Sequence, residues 1–260
     1  MAMRVAFFYG QNKRMTSTAI LSALAQEQRG LIELLQRPSR LSHAGRDFWL
    51  GDLHGQPVVL ALSKIGKVAA ATTATALIER FGVKRMVFTG VAGGLAQNVN
   101  VGDVVVAHDF VQHDLDVSPL FARYEVPLYG KTRFDGDAML TAALFEASQL
   151  ALNDSRLRSN YPAARAHRGL IASGDRFVSG AHESSQLRHA LLAAGHEVLA
   201  VEMEGAAVAQ VCHDYNVPFA AVRTISDRGD DTAHVDFPNF IDQVASKYAR
   251  VIVEKLLKLL

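Results

Sequence analysis

Four carboxylates stand where apolar runs end in this chain: Glu27 after TAILSALAQ, Glu202 and Glu204 around Met203 after VLAV, and Asp227 after FAAVRTIS. Acids are seldom buried without a partner, so an acid delivered to the rim of an apolar strand either reaches water or holds a ligand. In open α/β sheets ligands collect at the carboxyl ends of strands, where carboxylates can accept hydrogen bonds or carry protons. Arg223, inside the last of these runs, must face a carboxylate or a polar pocket, because an unpaired guanidinium is rarely buried. Three of the four acids also have a plainer use. Asp227 could cap a helix or close an Asx turn, Glu204 could be a first-turn acid worth ~0.3–1 kcal/mol, and Glu27 could lie on a solvated helix face.

A glycine cluster, TGVAGGL (Thr89–Leu95), follows a strand-like run. Its spacing is not G-x-G-x-x-G, no helix pattern begins there, and no phosphate-loop motif occurs elsewhere, so a dinucleotide or P-loop site is excluded. Two uses remain: a tight structural turn, or close approach of a ligand to the backbone at Val91, Ala92 and Gly93. The histidines share no spacing with Cys or carboxylates that builds a metal site, so neither metal nor cofactor is expected.

Alternating apolar runs and helical patterns must position these groups, which predicts a single-domain α/β fold with a central mixed, twisted β-sheet flanked by helices. Strands are predicted at Thr18–Leu24, Arg85–Gly90, 101–114, 169–173, 197–203 and 219–226, and a hairpin at 46–63 turns at His54–Pro57. Helices are predicted from 25 to 35, Lys67–Phe81 stopped by Gly82, Leu140–Leu152, His182–Ala194 closed by Gly195, and Phe240–Leu260. Residues 1–16 read as an N-terminal extension to a domain at 17–260. Val111–Lys131 reads as a long loop whose Pro119, Leu120, Phe121, Tyr124 and Tyr129 would be hidden by a second subunit.

With 27 basic and 26 acidic residues, net charge +1, the chain offers no broad basic surface for a nucleic-acid backbone. The single Cys212 fits a packing thiol in a reducing compartment, and MAMRVAFFYG is too short to span a membrane, so a cytoplasmic location is expected.

TGVAGGL with VGDVVV, ASGDRFVSG, VEMEGAAVAQVCHDYNVPF and VRTISDRGDD, in this order, resemble the 5'-methylthioadenosine/S-adenosylhomocysteine nucleosidases of the nucleoside phosphorylase superfamily. The resemblance covers about residues 17–260. It implies hydrolytic release of adenine from a 5'-substituted adenosine, a small-molecule partner, and a homodimer whose segment around Val117–Phe121 closes the neighbouring 5' pocket. Glu204 would accept the ribose 2' and 3' hydroxyls, Met203 would lie against the sugar, and Glu202 would join the substrate contacts. Phe177 would stack on adenine, Val178 would offer main-chain hydrogen bonds, Phe237 would pack on the 5' substituent, and Ile65 would sit near sugar and water. Asp227 would protonate N7, oriented by Ser226. Glu27 would activate water, with Arg223 fixing both. Placing the first strand at RVAFF would instead bring the base position near Arg14, but ILSALAQEQRGLIELL reproduces strand plus amphipathic helix and GQNKRMTS does not. The chain departs from the family at Val91, where TGSAGG has serine. That loss argues against the alternative of phosphorolysis, which wants hydroxyl donors and extra Arg. Arg14 would favour phosphorolysis. A non-catalytic nucleoside-binding protein is a third reading.

Overall fold

A computed structural model describes residues 17–228 and 233–260. In chain order its elements are β1 (Thr18–Ser22), α1 (Ala25–Ile32), β2 (Gln36–His43), β3 (Arg46–Leu53), β4 (Gln56–Leu62), α2 (Lys67–Glu79), β5 (Arg85–Gly94), β6 (Val104–Gln112), β7 (Arg133–Asp135), α3 (Ala138–Leu152), α4 (Ser155–Arg158), β8 (Ala166–Ser173), α5 (Ala181–Ala193), β9 (Val198–Glu202), α6 (Gly205–Tyr215), β10 (Phe219–Asp227), α7 (Ala233–Phe240), a π turn (Ile241–Ala245) and α8 (Ser246–Leu259). Residues 1–16, including Arg14, lie outside the described residues.

The β-branched and apolar runs of β1, β5 and β10 are buried along nearly their whole length, the pattern of strands covered on both faces. They form one mixed sheet in the order β10-β6-β8-β9-β5-β1-β4-β3-β2, with β7 beside β6. Because β10 also pairs with β5, the strands β5, β10, β6, β8 and β9 close on themselves. Closure occurs where Gly93 and Gly94 of β5 meet Val201 and Ala200 of β9 in an antiparallel pair. A Cβ at Gly94 would lie 3.2 Å from Ile225 Cγ2, so glycine lets neighbouring strands approach at this corner. The glycine cluster is therefore neither a turn nor a loop but the end of a ten-residue strand.

Helices cover both sides. The apolar stripe of α8 packs on α3 and α1, and α2 packs on α6. Cys212 is buried on α6 and burial pushes its thiol up to about 12, consistent with a packing role.

Four expectations change. The first helix stops at Ile32, and residues 36–43, unassigned from sequence, pair with β3 as an edge strand exposed throughout. The last helix begins earlier, at Ala233, and is interrupted by the π turn. Within the long loop Tyr124 and Val126 are buried in their own chain, whereas Leu120 and Leu128 are 80% and 92% exposed. Among the described residues, no helix is long and apolar enough to cross a membrane.

Candidate active site

β1, β5, β8, β9 and β10 deliver their carboxyl ends, or the loops after them, to one cavity of about 320 Å³. It gathers the catalytic and substrate-contact candidates named from sequence: Glu27, Ile65, Val91, Ala92, Gly93, Phe177, Val178, Glu202, Met203, Glu204, Arg223, Ser226, Asp227 and Phe237. Ala23, Leu24, Arg176 and Val201 complete the lining.

Glu27 sits in the first turn of α1, where helix geometry turns its side chain back to the preceding backbone. Its Oε2 accepts from the N–H groups of Ala23 (2.8 Å) and Leu24 (2.9 Å), and Oε1 from that of Val91 (3.1 Å). A carboxylate has about four acceptor positions, so one remains on Oε1 for a donor from the cavity. Burial raises the carboxyl above its ordinary value against these N–H groups and the Arg223 charge.

The two glutamates around Met203 have different surroundings. Glu202 Oε1 accepts from the Ser173 hydroxyl and the Gly205 N–H, and Oε2 from the N–H groups of Glu204 (3.1 Å) and Gly205 (2.8 Å) and from Arg223 Nη2 (2.5 Å). Its acceptor positions are taken by the chain itself. Glu204 accepts from the Gly66 N–H (3.0 Å) and lies 3.8 Å from Arg223, which leaves it open to hydroxyl donors. Burial first, then the Glu202 charge, push Glu204 up to about 8, against Arg223 and the Gly66 N–H.

Arg223 is 1% exposed, with its guanidinium carbon 4.1 Å from the Phe88 ring centroid. The cation is thus held between an aromatic face and two carboxylates, an arrangement that tolerates burial because both sides compensate. It crosses directly over Gly90, where a Cβ would lie 2.9 Å from both Arg223 Nη1 and Glu27 Oε1. Gly90→Ala is accordingly expected to destabilise the fold by about 1–3 kcal/mol through overpacking and to cut kcat/KM by displacing both groups. Thermal melts and turnover together check this, and a variant with wild-type values in both would refute the contact.

Asp227 ends β10, is 2% exposed, and accepts from the Ser226 hydroxyl at 2.8 Å. Across the cavity Phe177 and Phe237 meet edge to face, ring centroids 5.4 Å apart. Phe177, 44% exposed, forms part of the rim. Sequence reading missed Gly66 and Phe88. A glycine directly before the Ala-rich α2, at φ 96°, was the available signal for Gly66, and nothing marked Phe88 among the other core aromatics.

A partly closed mixed sheet with acids at the strand ends, an arginine among them and an aromatic rim defines an α/β protein that encloses a small molecule at the carboxyl ends of its strands. The model of the phosphorylase superfamily matches residues 17–258. The chain is 36% identical over 237 residues to the 5'-methylthioadenosine/S-adenosylhomocysteine nucleosidase of Haemophilus ducreyi, covering 91% of this chain and 96% of the relative. It also resembles two solved structures of nucleosidases of that kind. One, from Neisseria meningitidis in complex with methylthio-immucillin-A, has a TM-score of 0.83 and 35% identity over 95% of this chain and 100% of that one. The other, from Colwellia psychrerythraea in complex with adenine, has a TM-score of 0.83 and 31% identity over 95% and 96%. This chain belongs to the 5'-methylthioadenosine/S-adenosylhomocysteine nucleosidase family of the phosphorylase superfamily.

Proposed function

We propose that the cavity hydrolyses the N-glycosidic bond of 5'-substituted adenosines, releasing adenine and the substituted ribose. The observation that carries this reading is the division of labour among three buried acids around one space. Asp227 at the end of β10 is the general acid at adenine N7, held by Ser226. Protonation converts a poor leaving anion into a neutral base. Glu27, with one acceptor position left and Arg223 beside it, takes the proton of the attacking water. Glu204 clamps the ribose diol, while Glu202, saturated by its own chain, positions Arg223 and the Glu204 backbone. Phe177 and Val178 receive the base, Met203 and Ile65 the sugar, and Phe237 the apolar 5' group. Val91, Ala92 and Gly93 form the floor, with the Val91 N–H fixing Glu27. As the glycosidic bond lengthens the sugar gains positive charge, and buried carboxylates preorganised around it lower the barrier.

Hydrolysis is favoured over phosphorolysis by the lining. The cavity's buried cation is engaged by Glu202, Arg176 reaches out to Glu183 (2.5 Å), and an apolar valine occupies position 91. Adenine should appear from 5'-methylthioadenosine in phosphate-free buffer. A ribose 1-phosphate product formed only on adding phosphate would overturn the reading, and tight binding without base release would indicate a non-catalytic binder.

The ionisation of Glu204 makes affinity pH-dependent. A diol donates to the ionised carboxylate, whereas a carboxyl pushed up to about 8 is mostly protonated at neutral pH in the empty site. Binding should release a proton, and Kd should tighten by about tenfold between pH 7 and 9. Calorimetry on an Asp227→Asn protein checks this without turnover; a pH-independent Kd would exclude the clamp. In the absence of ligand the folded protein holds this proton more tightly than the unfolded chain does. Stability from this group is therefore full below pH 4.5 and is lost as pH rises towards about 8.

The exposed Leu120 and Leu128 of the long loop support a homodimer in which this segment faces the neighbouring cavity, and light scattering at micromolar concentration tests it. We read residues 1–16 as an extension to the catalytic domain at 17–260, and a cytoplasmic location from the lone, inert thiol.

A further inference from the structure

The cavity is bordered by an ion-paired cluster whose own side chains do not line it. Lys67 opens α2, immediately after Gly66, whose N–H holds Glu204. Its ammonium pairs with Asp114, at the start of the long loop after β6, and lies 3.9 Å from Asp175, in the loop after β8. The Lys67 N–H donates to Asp175 Oδ1 (2.8 Å), and the Asp175 N–H donates to Asp114 Oδ2 (2.8 Å). Two residues beyond Asp175 stands Phe177. The cluster thus fastens together the chain segments that carry the Gly66 N–H bonded to Glu204, the Phe177 ring and the start of the long loop.

Burial makes this more than a surface pair. The Lys67 side chain is 15% exposed and that of Asp114 28%, so water screens the attraction only in part. Burial acts to raise the Asp114 carboxyl, but the Lys67 ammonium and the Asp175 N–H overcome it and hold the group below its usual range. The backbone is constrained in the same place. Gly66 has φ 96°, and a Cβ there would lie 3.1 Å from Asp175 Oδ1. The α2 N-terminus carries no side-chain cap from Gly66 itself. Asp175 supplies that acceptor from another segment, and a carboxylate there also suits the positive end of the helix.

We propose that Lys67, through Asp114 and Asp175, is a positioning residue that holds the Gly66 N–H against Glu204 and the Phe177 loop over the cavity, and so sets nucleoside affinity rather than the chemical step. The proposal rests on the nucleosidase reading above. Lys67 touches neither substrate nor reacting atoms, and its effect passes through Gly66 and Asp175.

The test is the kinetics of Lys67→Met, which keeps the apolar stem and removes the charge, beside Asp114→Asn and the double variant, with 5'-methylthioadenosine as substrate. Loss of a charge-assisted, partly buried pair should raise KM by about tenfold with kcat within about threefold of wild type, and the double variant should be no worse than either single one. Lys67→Arg should restore part of the affinity. With a 2'-deoxy analogue, which engages Glu204 less, the Lys67→Met penalty should shrink. If Lys67→Met fails to fold, as seen by circular dichroism, Asp114→Asn carries the same comparison. Unchanged KM in a folded variant, or a loss confined to kcat, overturns the proposal. An inactive wild-type enzyme would instead count against the nucleosidase reading, so the two failures are distinct.

Discussion

Asp227→Asn should lower kcat for adenine release by about 10²- to 10⁴-fold, the range for removing a positioned general acid, while leaving nucleoside binding nearly intact. Asparagine matches the carboxylate in shape and can still accept from the Ser226 hydroxyl, which donates at 2.8 Å in the native chain. What it lacks is a transferable proton. Single-turnover measurement with labelled 5'-methylthioadenosine separates the two effects, and a variant turning over near the wild-type rate would remove Asp227 from the acid role.

The second large effect is expected at Glu27. Glu27→Gln should reduce kcat by about 10²- to 10⁴-fold through loss of the base. It should also cost about 1–3 kcal/mol of stability, because the amide must turn its NH2 towards N–H groups that need an acceptor. Ala23 and Leu24 donate to one oxygen and Val91 to the other, so neither orientation satisfies all three. The pH profile adds a sign. Only the ionised carboxylate accepts a proton, and burial raises Glu27 above 4.5. The acid limb of kcat, read at saturating nucleoside where the bound diol already holds Glu204 ionised, should therefore fall at a higher pH than an ordinary glutamate gives, and should vanish from the residual activity of the glutamine variant. An unmoved limb in that variant would assign it to another group.

Much of this site could be read from the sequence because strand ends bring distant residues together in a way that apolar runs reveal. β1, β9 and β10 are short, nearly continuous apolar strands, so the acids following them fall on one rim. What escaped depends on partners rather than on pattern. Glu202 and Glu204 differ by two positions, yet one is enclosed by donors from β8, α6 and β10 and the other faces the cavity. The family resemblance treats both as substrate contacts, since position at a strand end does not tell them apart. QRPSRLSH has no apolar alternation and all eight residues are exposed, so only its pairing with β3 makes it a strand. The glycines of TGVAGG resemble a turn because their Cβ-less geometry suits one. Here the same property lets Arg223 pass over Gly90 and lets β9 meet β5 at Gly93 and Gly94.

The π turn at Ile241–Ala245 separates α8, anchored against α1 and α3, from α7, which carries Phe237 to the cavity. Wide turns of this kind hold one residue more than an α-helical path needs, and each helical residue advances the azimuth by about 100°. The turn therefore works as a phase shifter. Deleting one residue from it would rewind the segment and rotate Phe237 away from Phe177, widening the cavity between the two rings without altering a single acid. Length variation confined to this turn is a route by which the fold could change the girth of the group it accepts while its hydrolytic centre stays fixed.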